Sequence, residues 1–188
     1  MFAMHDIVSS GKALYWGTSE WSAADILGAW QIADKHHLHK PVVEQPEYNL
    51  FKRKRVEVEY ARVFDEIGIG TTTWSPLASG LLSGKYVGGI PAGSRGAMDN
   101  MAFLREGLTD EKKNAAVARL APIAEELGAT TAQLAIAWIT KNPRVSSVIT
   151  GASRIDQLHS NLGALDVADK RTPAVMARIE ELTAPLAQ

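Results

Sequence analysis

The chain has 188 residues, long enough for one domain with a sizeable core and marginal for two, so a single domain over residues 1–188 is expected. Lys and Arg number 20 against 21 Asp and Glu, and no like-charge run exceeds Lys52-Arg53-Lys54-Arg55, so bulk charge gives no indication of nucleic acid as a partner. Cysteine is absent, which excludes disulfides and thiolate metal sites, and neither a membrane-length apolar run nor a signal-peptide layout is visible, so a cytoplasmic location is expected.

In chain order, Met1 to Ser10 reads as the tail of a helix stopped by Gly11. Residues Ala13 to Ser19 form a first expected strand, followed by a helix from Ala23 to His36 capped by Ser19 or Ser22. A second strand, Val42 to Asn49, is bounded by Pro41 and precedes a helix from Val56 to Ile67. Gly70 to Ser75 is the third strand. The stretch Gly80 to Gly107 has no sustained period, and a loop of that length inside a compact domain is usually functional. Helices are expected from Thr109 to Leu127 and from Thr131 to Lys141, then a fourth strand Val145 to Thr150, a helix Ile155 to Leu165 and a last helix Pro173 to Leu182. Alternating strand and helix implies α/β architecture with a parallel sheet. Four βα units plus extra helices match half of a (β/α)8 TIM barrel, with a small flavodoxin-like sheet as the alternative. No G-x-G-x-x-G or G-x-x-x-x-G-K-[ST] motif is present.

The most informative stretch is Thr71 to Lys85. A β-rich run ends in Trp74-Ser75-Pro76, breaks into small residues that let backbone amides approach an anion, and then presents Lys85 as a point charge. The plainer alternative is a buried Trp beside an ordinary turn. Parallel strands deliver their C-terminal ends to one face, which groups Ser19, Gln45, Trp74 and the run Gly151-Ala152-Ser153-Arg154. Ser19 and Gln45 offer the donor and acceptor that a carboxamide needs, and Trp74 offers a stacking surface. Ser153 and Arg154 open a helix, where orphan amides favour an anion and Arg adds a planar fork, so a 2′-phosphate and hence NADP is the sharper expectation.

The strings Tyr15-Trp16-Gly17-Thr18-Ser19, Glu44-Gln45-Pro46-Glu47-Tyr48-Asn49, Thr73-Trp74-Ser75-Pro76-Leu77-Ala78 with Gly80 and Gly84-Lys85-Tyr86, and Gly151-Ala152-Ser153 with Gln157 and Asn161 resemble the aldo-keto reductases. The match is closest to the branch that includes the β-subunits of voltage-gated potassium channels. The resemblance implies an NADP(H) site. In it Ser19 and Gln45 hold the carboxamide, Trp74 stacks on the ring, and the segment Ser75, Pro76, Leu77, Ala78 and Ser79 holds the pyrophosphate with Lys85 and Arg95. Gly151, Ser153, Gln157 and Arg154 hold the 2′-phosphate end, and Asn161 meets the adenine. Glu20 departs from the pattern, standing where close relatives carry Arg.

The resemblance also implies that this chain corresponds to the second half of the barrel, truncated relative to the family. The catalytic Asp, Tyr, Lys and His or Asn belong to the first half, so no catalytic residue is assigned here. The expected partners are a small carbonyl substrate if the catalytic half is supplied, further copies of the chain in a homo-oligomer, and, by family resemblance alone, a membrane channel. The expected function is NADPH-dependent reduction of aldehydes or ketones, inactive in this chain alone. The alternatives are a channel-regulating scaffold, or a fragment that is non-functional or pairs two half-barrels.

Several features read more simply. Tyr15 is expected to be packed within a strand and Lys12 to face solvent, neither with a catalytic role, and Tyr48 is at best a substrate wall. His36, His37 and His39 at a helix end suit solvent and the helix dipole better than a metal. His5 and His159 show no partner. Glu44 and Glu47 point to opposite faces by their odd separation, which excludes a glycosidase-like pair. Trp16, Trp21 and Trp30 read as core or helix packing, and the Lys52–Arg55 run as a solvated turn or helix start.

Overall fold

A computed structural model describes residues 1–188. Helix α1 (Phe2–Ser9) ends as expected, with Gly11 in the left-handed region. Strand β1 (Gly17–Thr18) is much shorter than the seven-residue run read from sequence. Residues 13–15 find no neighbouring strand, and towards that end only Val42 N–H, donating to the Trp16 carbonyl, extends the ladder. Gly17 is obligatory there, since a Cβ would stand 2.2 Å from the Val43 carbonyl oxygen.

Helix α2 (Ala23–Lys35) starts where Ser22 accepts from Asp25 N–H, a cap typically worth about 1 kcal/mol. Strand β2 (Val43–Glu44) is brief because Pro46 has no N–H to give. Pairing resumes beyond it as a single bridge between Glu47 and Trp74.

The helix expected from Val56 is divided. A π-helical turn spans Arg55–Glu59, and α3 (Ala61–Ile67) follows, with the buried Tyr60 at the junction. Strand β3 (Gly70–Thr73) then leads into a region that is not featureless. It contains 3-10 turns at Ala78–Ser83, Arg95–Ala97 and Asp99–Leu104, and a one-turn helix α4 (Arg105–Leu108).

Thr109 closes α4 rather than opening the next helix. Its hydroxyl donates back to the Arg105 carbonyl, and Asp110 caps α5 (Glu111–Glu126) by accepting from Lys113 N–H. Helix α6 (Thr131–Ile139) carries a full capping box from Thr130 and Gln133. Its six consecutive residues Leu134 to Ile139 are all buried, the signature of a helix surrounded by others rather than lying on a surface. Strand β4 (Val145–Val148) is followed by α7 (Ile155–Leu162) and α8 (Ala164–Ala168), separated at Gly163 where one helix was expected, and by α9 (Pro173–Thr183).

The four strands form one parallel sheet in the order β1-β2-β3-β4. A flavodoxin-like sheet would place its first strand inside the sheet; strictly sequential neighbours are the order of a (β/α)8 barrel, and the chain forms part of one. Alternation along the first three strands is sharp. Thr18, Glu44, Thr71 and Thr73 are buried, and their neighbours in sequence lie on the other, open face. Glu44 survives this burial because its carboxyl group accepts from the Thr18 hydroxyl and from Trp21 N–H at 3.2 Å, with the Tyr60 hydroxyl, which donates to the Trp21 carbonyl at 2.5 Å, lying 3.3 Å away. Burial, reinforced by Glu44, pushes the Tyr60 phenol well above its ordinary range, so it stays a neutral donor. No helix is long and apolar enough to cross a membrane.

Candidate functional site at the C-terminal ends of the strands

Register determines which side chains meet. Gly17, Val43 and Gly70 share one level of the sheet, and Thr18, Glu44 and Thr71 the next. The level after that is Ser19, Gln45 and Thr72, on the open face by period two. The Ser19 hydroxyl donates to the Gln45 carbonyl at 2.9 Å, and Gln45 Nε2 donates to the Thr72 hydroxyl at 3.4 Å. Ser19 and Gln45 are therefore brought together as the sequence suggested. Thr72 is a third polar member that sequence reading missed; its only signal is its position in register, which needs the pairing to be known.

Trp74 follows Thr72 on the same face and is 37 % exposed. It is not the buried Trp of the plainer reading. The indole makes no ring contact, and its Nε1–H donates to Glu20 Oε1 at 3.0 Å. One face-bearing aromatic thus stands beside an amide and two hydroxyls, a set suited to a planar ring carrying a carboxamide.

Immediately beyond, the backbone takes an unusual course. Ser75, Ala78 and Ser79 adopt left-handed φ values of 55°, 47° and 59°, and Gly80 follows at 99°. Such positions are sparsely populated by non-glycine residues, and they cluster at ligand sites. Ala78 and Gly80 N–H donate to the Ser75 and Leu77 carbonyls and Ser79 N–H to the Ser75 hydroxyl, which leaves the Ser75 and Leu77 amides to face an anion. Lys85 is exposed and forms no ion pair, and its Nζ lies 3.0 Å from where a Gly80 Cβ would be. A cradle of this shape, closed by an unpaired ammonium and kept open by a glycine, fits a phosphate group. Arg95 is exposed and likewise unpaired, while Pro76 is buried and Leu77 packs against the core.

The fourth strand joins the same edge. Ile149 N–H donates to the Thr73 carbonyl at 2.8 Å, and the chain continues through the exposed Gly151 to Ser153, whose N–H and hydroxyl both donate to Gln157 Oε1 at 2.9 and 3.1 Å. Asn161 lies one turn further along α7. That helix is held from behind by Gln133 Nε2, which donates to the Ser160 carbonyl at 2.9 Å. Arg154 is not free: it pairs with Asp156 at 3.1 Å.

Other expectations change. Tyr15 is 75 % exposed rather than packed, because the strand that would have covered it does not extend that far. Tyr48 is buried; its hydroxyl donates to Glu57 and accepts from Asn142, and its ring packs on Trp138, so it is core and not a pocket wall. Burial pushes its phenol far above the ordinary range. Trp16 is buried with its Nε1–H on the His39 carbonyl, Trp21 is 40 % exposed, and Trp30 lies under Lys40. His5 does have a partner, accepting from His39 N–H and stacking on its ring, and no cluster of His, Asp and Glu is arranged to hold a metal. The basic run is structural: Arg53 bridges Glu57 and Glu180, and Arg55 pairs with Glu20.

The aldo/keto reductase family matches residues 1–184. A protein named probable voltage-gated potassium channel subunit beta, from Arabidopsis thaliana, is 51 % identical over 181 residues, covering 96 % of this chain and 55 % of that protein. One of the same name from Oryza sativa subsp. japonica is 51 % identical over 179 residues, covering 95 % and 55 %. The chain spans about half the length of these relatives.

Glu47 supplies a test of the local electrostatics. Burial raises its carboxyl above the ordinary range and Glu20 adds to this, against the opposing pull of Lys52 and Asn49. A raised carboxyl favours folding while protonated, and that contribution disappears as pH rises through the folded value. Glu47→Gln is therefore expected to stabilise the protein at pH 7 and to make no difference at pH 4, read as the urea midpoint at each pH.

Proposed function

The chain belongs to the aldo/keto reductase family, and on that premise we propose that its 188 residues build the NADP(H) site of a reductase acting on aldehydes or ketones. The observation that carries this reading is the juxtaposition, at one edge of the sheet, of the Ser19–Gln45–Thr72 ladder, the Trp74 face and the left-handed run closed by Lys85. Ser19 and Gln45 would orient the carboxamide. Trp74 would shield one face of the ring. The Ser75 and Leu77 amides and Lys85 would hold the pyrophosphate, with Arg95 alongside, while Ser153 and Gln157 would take the 2′-phosphate and Asn161 the adenine. Arg154 would join them only by leaving Asp156. When bound, the cofactor supplies the hydride.

Carbonyl reduction also needs a proton donor, and we propose none of the tyrosines of this chain for that role. Tyr48, Tyr60 and Tyr86 are buried with their hydroxyls engaged, and Tyr15 precedes β1, at the opposite end of the strands from Trp74. We assign the donor to the remainder of the family domain, outside these residues. A second reading draws on the names of the two plant relatives: the same cofactor grip serves a regulatory or scaffold role on a potassium channel. A cytoplasmic location fits both.

Self-association is part of the proposal. The outer edges of β1 and β4 are unpaired, and exposed Leu14, Tyr15 and Trp21 flank one side as Ile149, Ile155 and Leu158 flank the other. Open parallel edges beside apolar side chains invite further chains.

Three measurements test this reading. NADPH is expected to bind saturably by calorimetry, and Trp74→Ala to weaken it by loss of stacking worth about 1–3 kcal/mol, roughly 5- to 150-fold; absence of saturable binding contradicts the site. The purified chain is expected to give no turnover with NADPH and a simple aldehyde, and measurable reduction would place the proton donor within it. Light scattering on a sizing column should return a mass above that of one chain, and a cooperative monomer would count against self-association.

A further inference from the structure

We propose that Glu20 is the positioning residue for the Trp74 ring, a role that rests on the cofactor reading of the open face. Glu20 sits just past β1, and its carboxylate gathers three donors from three other parts of the chain. Oε1 accepts from Trp74 Nε1–H at 3.0 Å and from Glu47 N–H at 2.6 Å, while Oε2 accepts from Arg55 Nη1 at 2.7 Å. Arg55 also reaches the Glu20 carbonyl at 3.0 Å. The backbone of Glu20 is left-handed, with φ 61°. A residue without special tolerance for that region holds it only where its surroundings over-determine it, and here the carboxylate's partners do so.

The reason to assign a positioning role, and not merely a surface ion pair, lies in what the indole lacks. Trp74 has no ring or cation partner, and more than a third of it is open. The χ2 angle of tryptophan is a broad torsion, so packing this sparse leaves the ring plane poorly determined. The hydrogen bond to Glu20 is the indole's one polar tether, and an ionised acceptor makes it directional and stronger than a neutral one. Arg55 balances the charge of that acceptor. The Glu47–Trp74 bridge fixes the backbone of the same residue, so Glu20 fastens both the main chain facing Trp74 and the ring itself. A ring already held in its stacking plane spares a bound partner the cost of ordering it.

The test uses the full chain with Glu20→Ala, Glu20→Gln, Trp74→Phe and Trp74→Ala, each verified by its unfolding midpoint. Trp74→Phe assigns the Trp74 indole N–H resonance in a 15N–1H spectrum. In Glu20→Ala that resonance is expected to shift and broaden, and NADPH affinity to fall roughly 3- to 10-fold, the effect of one lost hydrogen bond. Glu20→Gln retains an acceptor oxygen, so the resonance is expected to return towards its original position and affinity to within about twofold. An unmoved indole resonance in Glu20→Ala overturns the proposal. So does undiminished NADPH affinity in Glu20→Ala when Trp74→Ala has lost it. Failure of the cofactor reading would show separately, as full affinity in Trp74→Ala, and the indole resonance would then decide the positioning role alone.

Discussion

Parallel pairing in strict strand order places Ser19, Gln45 and Thr72 at one level of the sheet and on one face, and the candidate site depends on that register more than on any single side chain. A one-residue slip of β2 would turn Gln45 toward the helices and bring Glu44 to the open face, since side chains alternate with period two. The register is held by polar groups rather than by large apolar ones. Glu44 receives donors from β1 and from the turn after it, and Tyr60 at the head of α3 closes over it with its hydroxyl on the Trp21 carbonyl. A buried polar group left without its partner costs about 1–3 kcal/mol, so moving Glu44 out of place would orphan its donors at once. Gly17 adds a steric condition, because only a residue without Cβ lets β1 approach the Val43 carbonyl.

The apolar core lies behind this polar seam. Helix α6, buried on every side, carries the main weight of packing, and its capping residue Gln133 reaches across to the Ser160 carbonyl. The same side chain that closes the start of α6 therefore sets where α7 lies, and with it Gln157 and Asn161. Strain is concentrated elsewhere, in the turn from Ser75 to Gly80. Placing unfavourable backbone beside an unpaired lysine makes sense physically where an anion rewards both.

Much of this arrangement is legible in the residues themselves. The Ser22 cap, the Gly11 stop and the grouping of Ser19, Gln45 and Trp74 follow from local chemistry and from the rule that parallel strands deliver their ends to one side. Features that depend on distant partners are not. Tyr48 sits near a strand end and resembles a pocket residue until Glu57, Asn142 and Trp138 are seen to enclose it. Tyr15 lies in a run rich in strand formers, yet exposure results because no neighbouring strand reaches it. The π-helical turn at Arg55, which brings that side chain to Glu20, leaves no periodic trace in five residues. Glu20 itself looks like a departure from pattern, and only its contacts give it a place.

On the proposed reading, the four strand ends assembled at one end of the sheet would hold a single extended ligand. Titrating NADPH into the 15N-labelled chain tests it most directly. Amide shifts are expected to concentrate at Ser19, Gln45, the Thr72–Lys85 segment and residues Gly151 to Asn161, and to saturate with one midpoint. Shifts that map to the opposite end of the strands, around residues 13–15, or that move independently at Trp74 and Ser153, would contradict it.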